Sequence, residues 1–299
     1  MLYCLAMNIC IASDSKPHLY KWRSTPSFIM NRLHKKKILF LQHGVTALKR
    51  VHTLFGKKGS SPMTYFVTTG KVEQEIAVNE LLYTPETAPI TGFARWDALE
   101  NKEDKNDRFI LVMPTWRSWL EDVSDEEFMK SDYYERYTSL LKSPELAQIL
   151  KNGNTRLVFY IHPKFANYIE NFKDFVSDRI TYVPFGQEPL NELMMKCSML
   201  ITDYSSVCWD VYYLDKPVLF YQFDYEKYAI AHGSYINMET SLFGNRSTDE
   251  ADLIKDIEHF VNNGFVENEK DKLDAEKYFE YRDNNNSKRI YEFLKKNNY

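Results

Sequence analysis

The chain has no uninterrupted apolar run near the ~18 residues that a membrane-spanning helix needs, so nothing in the pattern reads as a span. Its opening, MLYCLAMNICIAS, is apolar but short and has no basic segment before it, so it reads as a buried strand and not a signal peptide. Cysteine is scarce. Cys4, Cys10, Cys197 and Cys208 match neither a zinc spacing nor a disulfide framework, and they read as reduced core residues of a cytosolic protein. An excess of either charge is missing too. A net charge of −4 gives no global sign of a nucleic-acid binder. No glycine-rich dinucleotide fingerprint or P-loop is present, which argues against NAD enzymes and P-loop kinases. No cluster has good metal spacing, so neither a metal nor a cofactor is expected, and no internal repeat or low-complexity tract is evident.

What is present is alternation. The 44% apolar fraction is enough for real cores, and 299 residues allow one large domain or two ordinary ones. Strands are predicted at Tyr3 to Ile11, Ile38 to Leu41, Tyr65 to Thr68, Ile90 to Phe93, Phe109 to Met113, Arg156 to Ile161, Ile180 to Val183, Leu200 to Ile201 and Val218 to Tyr221. Helices fall between many of them, at 71–82, 133–141, 144–151, 165–175, 189–196 and 207–214, with a scrap at 28–33 and amphipathic helices at 250–260 and 271–296. Strands that alternate with helices imply a parallel sheet with right-handed crossovers. The charged ENKEDKNDR at 100–108 reads as an interdomain linker.

One stretch organises the rest. LITDYSSVCWDVYYLDKPVLFY, Leu200 to Tyr221, is a buried strand, a polar turn, a helix and a second buried strand. Small hydroxyl residues at a helix start suit an anion, because the free N–H groups and the dipole point there. The competing reading is that Asp203 and the serines only cap the helix. Other polar groups also follow apolar strands directly: His43 with Gly44, Arg117, and His162 with Lys164. Ligands of open α/β sheets bind at strand carboxyl ends. Two histidines, an arginine and a hydroxyl-bearing helix start make a phosphate-handling set. Taken singly, each has a structural reading: a strand-end histidine, a surface arginine, a solvated basic face. Asp203 repels phosphate, so it orients a neighbour or caps.

Together, His43-Gly44, TGFARWD at 91–97, PTWR at 114–117, HPK at 162–164 and LITDYSS–WD–LDKPVLFYQFDYEKY through Tyr228 resemble the CDP-glycerol glycerophosphotransferases. These make teichoic acids and related capsule polymers. The resemblance covers roughly Ile38 to Arg289. It implies an α/β, GT-B-like fold of two Rossmann-like domains facing a cleft, the N-terminal one shortened. The expected boundaries are 1–100 for a partial acceptor-side domain, 101–108 for the linker, 109–270 for the nucleotide-donor domain, and 271–299 for a C-terminal helix packing back across the cleft. The late helical region carries Asp283-Asn284 where the family often has Asp-Gly.

The implied reaction transfers glycerol phosphate, or another polyol phosphate, from a CDP-activated donor to a hydroxyl of an undecaprenyl-linked acceptor, releasing CMP. By the resemblance His43 is the general base and His162 sits near the donor phosphates. Arg117, Ser205 and Ser206 hold the pyrophosphate, with Thr202, Asp203 and Lys164 in the same group and Gly44 and Arg289 in support. The donor is CDP-glycerol or CDP-ribitol. The protein is expected in the cytoplasm, peripheral on the inner leaflet of a bacterial membrane, with Lys35 to Lys37 and Lys49 to Lys58 as the basic surface. Two other readings use the same residues: a GT-B glycosyltransferase with a nucleotide sugar, and a donor-binding remnant without catalysis.

Overall fold

The computed structural model describes residues 8–16, 35–184 and 186–299. Two compact units form: unit one joins the described residues up to Ala98 with Glu276–Tyr299, and unit two is Leu99–Ala275. The predicted strand residues 3–7, the helical scrap at 28–33, Cys4, His18 and His34 lie outside the described residues.

Unit one holds a three-stranded parallel sheet, β1 (Ile9–Ala12), β2 (Lys37–Phe40) and β3 (Tyr65–Phe66), in that order. The predicted strand at Ile90 reduces to a single parallel bridge with Thr68. Phe40 packs on Phe55 and Phe66, and Trp96 packs between Phe93 and Phe279. The TGFARWD motif seats the helix Asn286–Lys296 in this unit. Asp97 accepts from the Asn286 N–H at 2.8 Å and the Ser287 N–H at 2.7 Å. A carboxylate at a helix N-terminus meets orphan donors and the positive dipole end. Gly92 has φ +73°, and a Cβ there would fall 2.0 Å from the Asn286 Oδ1. Arg289 donates to the Thr91 carbonyl at 3.0 Å and forks onto Asp283 at 2.8 and 2.9 Å.

Unit two is a six-stranded parallel sheet: β4 (Phe109–Val112), β5 (Arg156–Tyr160), β6 (Ile180–Val183), β7 (Met199–Thr202), β8 (Val218–Tyr221) and β9 (Arg246–Ser247). Their spatial order is β6-β5-β4-β7-β8-β9. β4, β7 and β8 are buried at every residue, as expected of parallel strands covered on both faces. The helices Asp132–Lys142, Pro144–Asn152 and Glu250–Asn262 bury Tyr137, Leu146 and Ile257 against Val112, Phe159 and Leu219. The expected helix at 165–175 falls within a 3-10 helix, Pro163–Phe175. The expected helix over 271–296 is two helices, Glu269–Glu276 and Asn286–Lys296.

The expected linker at 101–108 belongs to unit two. Lys102 N–H donates to the Met195 carbonyl at 2.8 Å, and Asn101 caps the Leu214 carbonyl at 3.3 Å. Asp107 forks onto Arg156 at 2.7 and 2.9 Å. The run is charged because its side chains line a surface, not because the backbone is free of partners.

Candidate active site

The strand order of unit two reverses between β4 and β7, whose crossovers leave in opposite directions. The crevice at such a reversal, outside the carboxyl ends, is where doubly wound sheets bind ligands. Two loops meet there, 113–117 after β4 and 203–206 after β7. One carboxylate joins them: Asp203 Oδ1 accepts from the Thr115 N–H at 2.9 Å and the Tyr204 N–H at 2.6 Å.

Arg117 lies beneath these loops with no exposed surface. Its Nη1 is 2.9 Å from Asp203 Oδ2 and donates to the Thr115 carbonyl at 2.6 Å. Its Nε and Nη2 donate to the two Asp224 oxygens at 2.7 and 3.0 Å. Tyr204, Tyr133 and Tyr228 surround the guanidinium at 4.9, 5.3 and 5.7 Å. Burial opposes the Arg117 charge, but Asp203 and Asp224 outweigh it and hold its pKa well above the ordinary value. Burial likewise pushes the Tyr133, Tyr137 and Tyr204 hydroxyls up, so they stay neutral.

Two expected phosphate contacts, Arg117 and Thr202, are therefore corrected, and Asp203, grouped with them, keeps only the orienting role. Arg117 has all three guanidinium nitrogens on protein partners and no surface to offer. Thr202 is 1% exposed and its hydroxyl donates to the Met113 carbonyl at 2.7 Å. Asp203 is fully buried as the partner of Arg117, with the Tyr137 hydroxyl at 3.3 Å. These three build the floor of the crevice.

Other expected residues stay accessible. Ser205 and Ser206 are half-buried before the helix Val207–Tyr213, and the Ser205 hydroxyl accepts from the Val207 N–H at 3.4 Å. Ser206 makes no side-chain capping bond. His162 follows β5, half-buried, and its Nδ1 accepts from the Lys164 N–H at 3.2 Å. The neutral ring then carries its proton on Nε2, as a donor. Lys164 pairs with Glu121 at 2.6 Å and lies 3.8 Å over the Trp116 ring.

In unit one His43 is exposed after β2, with Nδ1 2.9 Å from the Ser13 carbonyl. A carbonyl only accepts, so Nδ1 carries the proton and Nε2 keeps its lone pair. The two histidines thus hold opposite tautomers. Arg289 is tied to Thr91, Asp283 and Asn286 in the same unit, which gives it a framework task.

Sequence reasoning missed several groups. His232 stacks on Trp119 at 6.4 Å, meets Trp116 at 6.4 Å, and sits 3.3 Å from the Ser118 hydroxyl. A pocket of about 370 Å³ opens beside it, lined in part by Trp119, Tyr133, Asp224 and Lys227. The tryptophans of TWRSW, spaced by three, were the available signal. In unit one Gln42, Thr46, Thr69 and Glu73 form a buried cluster behind His43, announced by no spacing motif.

Among the described residues no three His, Cys, Asp or Glu are grouped to hold a metal ion, and no helix is long and apolar enough to cross a membrane.

The family described as CDP-Glycerol:Poly(glycerophosphate) glycerophosphotransferase matches residues 13–296. The minor teichoic acid biosynthesis protein GgaB of Bacillus subtilis is 28% identical over 290 residues, covering 92% of this chain and 31% of that protein. A teichoic acid glycerol-phosphate transferase of Staphylococcus aureus is 25% identical, covering 69% of this chain and 54% of that protein. The chain therefore spans between about a third and half the length of these relatives. In fold it is similar to the wall teichoic acid polymerase TagF, with TM-score 0.66 and 20% identity over 91% of this chain and 71% of that one.

Proposed function

The chain belongs to the CDP-glycerol:poly(glycerophosphate) glycerophosphotransferase family, and from that premise we propose that it transfers a polyol phosphate from a CDP-activated donor to a hydroxyl of a lipid-linked acceptor. The observation that carries the reading is the reversal between β4 and β7, where Ser205 and Ser206 follow β7 at the carboxyl edge of a Rossmann-ordered sheet and His162 follows β5, on the far side of β4. Family membership supports CDP-glycerol as the donor.

In the reaction the acceptor oxygen bonds to the β-phosphorus of the donor. The bond from that phosphorus to the bridging oxygen breaks, and CMP leaves. His43 takes the hydroxyl proton on Nε2, the nitrogen its Ser13 contact leaves unprotonated. His162 donates from Nε2 to a phosphate oxygen, and the Ser205 and Ser206 hydroxyls donate to others. Preorganised donors aimed at developing charge are the usual large term in such transfers. Arg117 contributes at one remove, by holding Asp203 and with it both loops.

Two variants test the assignment, with CMP release followed from CDP-glycerol and a lipid-linked acceptor. General-base help is worth ~10²–10⁴-fold, so His43→Ala is expected to lose turnover by that factor while calorimetry finds donor affinity retained. Ser205→Ala with Ser206→Ala should weaken donor binding itself. Turnover of a UDP-sugar instead, with none of CDP-glycerol, would overturn the reading in favour of a sugar transferase.

We also propose peripheral contact with anionic lipid through exposed lysines, at ~1 kcal/mol each. Lys57 is removed from the expected set. Its Nζ donates to the Met63 and Thr64 carbonyls at 3.0 and 3.2 Å, and burial lowers its pKa. Liposome flotation that ignores the anionic fraction would dismiss this contact.

A further inference from the structure

Behind His43 lies a carboxylate that the proposed reaction does not use. Glu73, in the first turn of the helix Lys71–Asn79, has no exposed surface. Its Oε1 accepts from the Thr46 N–H at 2.7 Å and the Gln42 amide at 3.1 Å. Its Oε2 accepts from the Thr69 N–H at 2.8 Å and the Thr69 hydroxyl at 3.0 Å. All four partners are donors, and only an acceptor-only carboxylate satisfies them together. Burial pushes the Glu73 carboxyl up, and these four bonds oppose that push.

Two of the partners bracket the histidine. Gln42 precedes His43 and is left-handed, at φ +61°, a conformation that L side chains rarely adopt. Its amide also donates to the Val67 carbonyl, and its carbonyl oxygen accepts from the Thr46 hydroxyl at 2.8 Å. Thr46 follows His43 by three residues. Both ends of the turn 42–46 are thus pinned to one buried carboxylate, and that carboxylate is anchored on its far side by Thr69. The His43 ring then projects from the clamped turn, edge-on to Phe40 at 5.9 Å, with Nδ1 on Ser13.

We propose that Glu73 is a positioning residue for His43, clamping both ends of the turn so that the imidazole keeps one aim and one tautomer. The proposal rests on the reading of His43 as the base. It differs from a packing role in a measurable way: the clamp acts on His43 and on nothing at the donor site.

The test uses Glu73→Ala, Glu73→Gln and Gln42→Gly, each alone and with His43→Ala, in the full chain. Gln42→Gly keeps the left-handed backbone without strain and deletes the amide link, so it folds even if Glu73→Ala does not. Steady-state turnover, CDP-glycerol affinity by calorimetry, and the His43 imidazole titration by NMR are measured. A misplaced catalytic group costs up to ~10²-fold. Glu73→Ala is therefore expected to lower kcat by ~10–100-fold, and Gln42→Gly by ~3–10-fold. Donor affinity should hold within about twofold, and the His43 titration midpoint should shift. In the His43→Ala background neither change should cost more, since residues acting as a unit are not additive. Glu73→Gln keeps one acceptor oxygen and should recover part of the loss. An unmoved His43 titration, full additivity with His43→Ala, or full kcat in folded Glu73→Ala would overturn the clamp. Turnover surviving in His43→Ala alone would instead sink the base assignment, and the proposal with it.

Discussion

Arg117 carries a charge that Asp203 and Asp224 match inside a shell of tyrosines. Removing the cation alone leaves two buried carboxylates unpaired, a change that costs roughly 3–5 kcal/mol. Arg117→Ala is thus expected to lower the denaturant midpoint sharply, and donor affinity, measured on the folded fraction, should fall only as far as the two loops joined by Asp203 lose their places. Arg117→Lys should recover little, because the three donors of an ammonium cannot meet the four acceptors that the guanidinium reaches: Asp203, both Asp224 oxygens and the Thr115 carbonyl. The sequence displays Arg117 after a strand, as it displays His43 and His162, and there the three look alike. What separates them is distant: Asp224 lies 107 residues from Arg117, and nothing local announces the pairing. The histidines differ in a way that spectroscopy reads directly. Above their titration, ¹⁵N shifts should find His43 protonated on Nδ1 and His162 on Nε2. The reverse assignment in either would remove its proposed role.

At the scale of the element, the helix Asn286–Lys296 depends on Asp97, which meets its first two N–H groups. Loss of such a cap costs about 0.5–2 kcal/mol, so Asp97→Ala should lower the thermal midpoint by a few degrees, with Asp97→Asn milder. Gly92→Ala should cost more, since it combines a left-handed backbone with a clash against Asn286. The apolar strands β2, β4, β7 and β8 were legible because burial on both faces forces runs such as ILF, FILV and VLFY. β9 was not. Its two residues, Arg246 and Ser247, carry no apolar pattern, and only their pairing with Phe220 and Tyr221 makes them a strand. The 3-10 winding after His162 was also hidden, because Phe165, Tyr168, Phe172 and Phe175 recur there every three or four residues whether the turn is tight or not.

For the whole molecule, stability should carry one visible pH signature. Burial, with Asp271 adding to it, pushes the Glu267 carboxyl from 4.5 up to about 7, although the Tyr212 hydroxyl and the Asn268 N–H pull the other way. The folded state then holds more protons than the unfolded one between these values, so stability from this group falls as pH rises through that window and is flat above it. Thermal unfolding across pH 4.5–8 should be steeper for the parent than for Glu267→Gln, and identical slopes would dismiss the effect. The α/β architecture was readable from strand–helix alternation. The partition was not: the charged run at 101–108 looks like a tether until its partners on 195 and 214 are known.

That partition also sets an order of events. Unit one is interrupted by all of unit two, because Glu276–Tyr299 belongs with the residues up to Ala98. On a ribosome the segment begun first is completed last. The roughly 180 residues of unit two take on the order of 10–40 s to synthesise at ~5–20 residues per second. Through that interval Trp96 waits without Phe279, and Asp97 without the helix it caps. A nascent chain stalled with Ala275 just clear of the ribosome should hold a protease-resistant unit two beside a protease-sensitive segment at 35–98, so limited proteolysis of stalled chains would read the delay directly.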